Sequence, residues 1–100
     1  MAANYAREKF TAGLYMLAEG REGIKQRLVD AYVEASHAHS DKQLLPAFSK
    51  GIEALHRRMT SVAPKGEEGS IAATVAGMTD DEVVAAVHEL VRIALELQSL

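Results

Sequence analysis

The chain contains no cysteine and no tryptophan, only two prolines, and few aromatic residues of any kind, 5% of its 100 positions. Without cysteine there can be no disulfide, no thiolate metal site and no cysteine nucleophile. The lack of disulfides is what a reducing compartment allows, and a cytoplasmic location is the expectation. No basic start followed by an apolar run opens the chain, so the first residues do not read as a signal peptide. No run approaches the roughly 20 apolar residues of a membrane span, and no membrane partner is expected. The shortage of aromatics leaves little large side-chain area for a core. Alanine takes their place: 17 residues, which favour helix and close helix approach but bury little area each.

The remaining composition is that of an ordinary globular protein, 48% apolar and 25% charged. A chain of this length forms one domain, residues 1–100. The net charge of −3 is unevenly spread. Residues 1–65 carry a balance of +3 and residues 66–100 a balance of −6. Either the acidic tail lies across the basic helices of its own fold, or a basic surface is left for an acidic partner.

Apolar residues recur with helical spacing throughout, and the expected fold is all-α, a compact bundle of four main helices plus one short helix at about 70–78. Asn4 can cap a first helix to Glu19, with Phe10, Leu14 and Leu17 on one side. Gly20 is the expected left-handed terminator. "GREG" then turns the chain into a second helix ending near Ser36, with Ile24, Leu28, Ala31, Tyr32 and Ala35 as its stripe. So short a connection makes the two helices antiparallel neighbours. Ser40 with Gln43 has the spacing of a capping box. Pro46 suits the first turn of a third helix running to Thr60, with Phe48, Ile52, Leu55 and Met59 facing inward. Ser70 is the expected cap of the short helix, and Thr79 with Glu82 a capping box for the last, from Asp80 almost to Leu100.

The last helix is apolar around most of its circumference, leaving His88, Arg92 and Glu96 as one polar line with Glu89 beside it. A helix of that kind is buried on most sides, at the centre of its own fold or against a partner. The second alternative leads to an expected homodimer, with Val84, Val91, Ile93, Leu97 and Leu100 as the self-association residues.

Candidate chemistry is thin. "KGEEGS" is not a phosphate loop, which needs Lys after the last glycine and a preceding strand. Lys65 and the backbone at Ser70 make a weak candidate anion site, opposed by Glu67 and Glu68. Lys50, His56, Arg57 and Arg58 make a candidate basic patch. The pI near 5.8 and the interspersed carboxylates argue against nucleic acid. His37 and His39 diverge if helical. They would need help from Asp41 or His56 to hold a metal, so no metal is expected and no cofactor is implied. No catalytic motif is present, which argues against an enzyme. The reading that remains is a non-catalytic protein–protein interaction module, a small cytoplasmic adaptor or regulator whose further protein partner the sequence does not identify. Binding of an acidic partner or nucleic acid through residues 21–58 is the alternative, and a small enzyme or anion-binding protein the third.

Overall fold

A computed structural model describes residues 4–41 and 46–100. Its elements, in order, are α1 (Asn4–Glu19), α2 (Ile24–Ala35), a 3-10 helix (Ser36–Ser40), α3 (Pro46–Met59), α4 (Gly69–Ala76) and α5 (Asp80–Gln98). Every described element is helical, so the fold is all-α.

The first two helices form a tightly packed hairpin. Ala6, Phe10, Gly13 and Leu17 of α1 are buried against Leu28, Ala31, Tyr32 and Ala35 of α2. Gly13 sets their separation: a Cβ there would lie 2.8 Å from the Ala31 carbonyl oxygen. Lys9 spans the seam to Glu34 at 3.1 Å. That bond raises the Lys9 ammonium above its ordinary value.

Gly20 is not the left-handed terminator that the sequence suggests. The only positive φ among the described residues is at Gly69. The Gly20 N–H donates to Met16 O at 3.1 Å, and Arg27 folds back from α2 over the glycine. Its guanidinium donates to Leu17 O at 2.8 Å and to Glu22 O at 2.9 Å. A Cβ on Gly20 would strike the Arg27 Cγ at 2.7 Å. A side chain seven positions downstream therefore satisfies the α1 end.

Two further expectations along α2 change. Ile24, assigned to the inward stripe, is 42% exposed. As the first residue of α2 it hangs over the edge of α5 instead. Beyond Ala35 the chain tightens into the 3-10 turn, where Ala38 is fully buried. The capping box expected from Ser40 and Gln43 falls partly outside the described residues; the Ser40 hydroxyl donates to His37 O at 3.3 Å.

On α3, Ile52, Leu55 and Met59 are buried and Phe48 packs against the core at its edge. The connection to α4 is tied at two points. Val62 N–H donates to the buried Thr74 hydroxyl at 3.0 Å, and the Glu68 carboxylate accepts from Lys65 N at 3.0 Å and Gly66 N at 2.8 Å. Glu68, not Ser70, occupies the N-cap of α4, and Ser70 lies inside the helix. Gly69, at φ +84°, makes the sharp entry that a residue with a side chain adopts only under strain. Thr79 and Glu82 form the capping box as expected, with Glu82 N to Thr79 Oγ1 at 3.2 Å and Thr79 N to Glu82 Oε1 at 2.9 Å.

The last helix packs on α1, α2 and α3. Val83, Ala86, Leu90, Ile93, Ala94 and Leu97 form its buried side. All five α-helices contribute to one continuous apolar cluster. The acidic end of the chain does lie against a basic helix. Arg58 of α3 helps hold the Glu82 and Glu89 carboxyls below their usual range, behind the Thr79 and Arg92 hydrogen bonds that matter more. The polar line of α5 closes mainly on itself: Arg92 reaches Glu89 at 2.7 Å and Glu96 at 2.9 Å.

Candidate functional site

Two places stand out. The first is the outer side of α5. Successive residues of an α-helix are 100° apart, so Val84, Val91 and Leu95 fall within an arc of about 40°. Val84 is 66% exposed and Leu95 55%, while Val87 and Val91 are half-buried. Ile24 from α2 flanks the stripe, and with Val83, Val84, Val87 and Val91 it lines a shallow apolar groove. Asp80 and His88 are the polar groups in its lining.

The expected self-association set divides on this geometry. Val84 and Val91 belong to the open stripe. Ile93 and Leu97 are 3% and 0% exposed and fill the chain's own core. They lie roughly opposite Val84 on the helix, so no partner reaches them in the folded chain. Leu100 is exposed but lies beyond the end of α5, off the stripe. Leu95 and Ile24 take their places on the open face. The α5 periodicity contains the first of these; nothing local marks the second.

The basic patch does not come together. His56 turns inward, Arg58 faces the acidic start of α5 in a cleft with Asp81 and Glu82, and Lys50 and Arg57 share a shallow depression with Glu53 between them. Consecutive helical residues point about 100° apart, and this dispersal follows. The anion candidate fares similarly: the Lys65 and Gly66 N–H groups are occupied by Glu68, and Ser70 caps nothing.

The second place is a cluster of titratable side chains from three elements. Tyr32 on α2 is 1% exposed, and its hydroxyl meets His56 Nδ1 on α3 at 2.8 Å. The His56 ring stacks on the His39 ring of the 3-10 helix, with centroids 3.8 Å apart and planes 15° from parallel. His39 Nε2 in turn pairs with the Glu53 carboxylate one turn before His56. Burial raises the Tyr32 phenol far above its ordinary value, with the Glu53 charge adding to it. The phenol thus keeps its proton and donates to His56. Burial first, and the neighbouring His39 second, hold the His56 imidazole below its ordinary value, so Nδ1 is free to accept. The bond to His39 holds the Glu53 carboxyl below its own.

Sequence spacing hides this cluster. His37 and His39 look like the pair, yet His37 is exposed and His39 finds its partner 17 positions on. The one local signal is that His56 follows Glu53 by three and Ile52 by four, which places it beside the inward stripe. The stack also bears on metal chemistry. Imidazole lone pairs lie in the ring plane, and two nearly parallel planes do not meet at one ion. Among the described residues no group of three or more histidines and carboxylates is placed to hold a metal. No described helix is long and apolar enough to cross a membrane. No family model matches the chain, and neither a curated protein nor a solved structure matches it.

Proposed function

We propose that the chain is a non-catalytic interaction module, a small cytoplasmic adaptor or regulator, that pairs with a second copy of itself through the outer side of α5. The observation that carries this reading is the apolar stripe of exposed Val84 and Leu95 with half-buried Val91 between them, continued sideways by Val87 and Ile24. Folded monomers rarely leave a contiguous apolar patch in water. A second copy offers the same stripe, and twofold pairs are the commonest assemblies. Antiparallel packing of two α5 helices sets the electropositive start of each beside the electronegative end of the other. The alternative, an acidic partner or nucleic acid on residues 21–58, has less support. Glu53 sits between Lys50 and Arg57, and Arg58 faces carboxylates of α5.

Sedimentation equilibrium at micromolar concentration tests the pairing. The expected species has twice the 10.8 kDa of one chain, and Val84→Asp combined with Val91→Asp returns it to one. A single 10.8 kDa species unchanged on concentration overturns the proposal.

A further inference from the structure

We propose that the stacked His39 and His56 rings form a proton-operated latch that holds the 3-10 segment, Ser36–Ser40, on α3 at neutral pH and releases it on acidification. Geometry carries this inference independently of the α5 pairing. Two hydrogen bonds and a ring stack join three elements here: Tyr32 on α2, His39 on the 3-10 helix, and Glu53 with His56 on α3. One distribution of protons satisfies them all. Tyr32 O–H donates to a neutral His56 Nδ1, and His39 Nε2–H donates to the ionised Glu53.

A proton taken up by His56 at Nδ1 undoes the arrangement. It places positive charge on a ring stacked 3.8 Å from the His39 ring. It also turns Nδ1 from acceptor to donor, so the Tyr32 hydroxyl must rotate to accept, with its own proton directed into buried surroundings. Glu53, whose charge acts to raise His56, is already engaged by His39 and approached by Arg57 at 3.9 Å. Asp41 closes the 3-10 helix two residues after His39. On α5, Arg92 comes to Gly51, and Glu82 and Glu89 lie toward Arg58. The α4 helix has no ionisable side chain. Proton uptake is relieved if His39 swings away, taking the 3-10 turn with it.

The sign follows from the lowered His56 value. A base held below its ordinary range contributes stability that is complete above about pH 6.5 and is lost as pH falls toward the folded-state value. The latch is therefore shut at neutral pH and opens in the acid range.

Amide hydrogen exchange on the whole chain, corrected for the intrinsic pH dependence of exchange, reads the latch directly. The reporters are the amides of residues 38–41, including Asp41 N–H, which donates to Ala38 O at 3.1 Å. Their protection is expected to fall at least tenfold between pH 7.5 and 5, while amides of α5 such as Leu90 keep theirs. In the same samples, ring nitrogen shifts of His56 must titrate over the range in which protection falls. His39→Phe keeps a flat ring on His56 but cannot charge, and the acid-dependent loss is expected to shrink to less than threefold. Protection of residues 38–41 that stays flat in the wild-type chain overturns the latch. So does a His39→Phe variant that opens at the same pH and to the same extent, or a loss of protection shared by α5.

Discussion

Ser70 and Thr79 both precede apolar runs and both read as helix caps, but their oxygens do different things. The Thr79 hydroxyl accepts the Glu82 N–H, and the Glu82 carboxylate returns the contact. Ser70 lies one residue inside α4 and makes no cap. Thr79→Ala is expected to cost about 1 kcal/mol. Ser70→Ala should stay within about 0.5 kcal/mol of the parent, as substitutions away from specific contacts do. Urea denaturation of the two variants separates them; equal losses would contradict the assignment. What distinguishes the two sites is Gly69. Its positive φ lets Glu68 occupy the N-cap while its carboxylate folds back onto the loop, a matter of backbone direction that residue types do not display.

At the level of helices, most of the architecture was readable. Apolar spacing located all five α-helices, because burying one side of each is what stabilises them. Less readable were the features that depend on a distant partner. Arg27 closing α1, the 3-10 turn with its buried Ala38, and the meeting of His39 with His56 each join residues from different elements. On α5 the expected self-association set includes Ile93 and Leu97, although both point into the core. A helix apolar nearly all round does not reveal which side its neighbours cover. The same dependence on neighbours distinguishes two helical glycines. Gly13→Ala gains about 1 kcal/mol of helix propensity. The new Cβ, however, meets the Ala31 carbonyl oxygen at 2.8 Å, and backbone cannot step aside as a side chain tip can. A net loss on the order of 1–3 kcal/mol is expected. Gly51→Ala meets nothing closer than the Arg92 guanidinium at 3.9 Å and should gain about 0.5–1 kcal/mol. Thermal unfolding of both variants checks the opposite signs.

For the molecule as a whole, α5 has one buried side and one open side. Its inner side closes the apolar cluster over α1, α2 and α3, and its outer side carries the stripe of the proposed pairing. The two can be told apart by measurement. Leu97→Ala empties a fully buried position and should cost about 2–5 kcal/mol. Val84→Asp changes a side chain that is 66% exposed in the single chain. Under the proposed pairing it lowers the association constant by at least tenfold and leaves the stability of the dissociated chain nearly unchanged. Concentration-dependent unfolding reports both quantities.

The close contact between α1 and α2 also bears on the order in which the molecule forms. Two helices joined by a short turn close a small loop, whereas α5 must return to α1 across most of the chain, as the Gln98 amide donating to Thr11 at 3.1 Å requires. Loop closure favours the hairpin as the folding nucleus, and α5 is expected to dock after the rate-limiting step. A nucleus built on the Gly13–Ala31 approach predicts that Gly13→Ala acts mainly by slowing refolding, while Leu97→Ala acts mainly by speeding unfolding. Stopped-flow chevrons of the two variants separate the limbs. The reverse pattern would put the nucleus at α5.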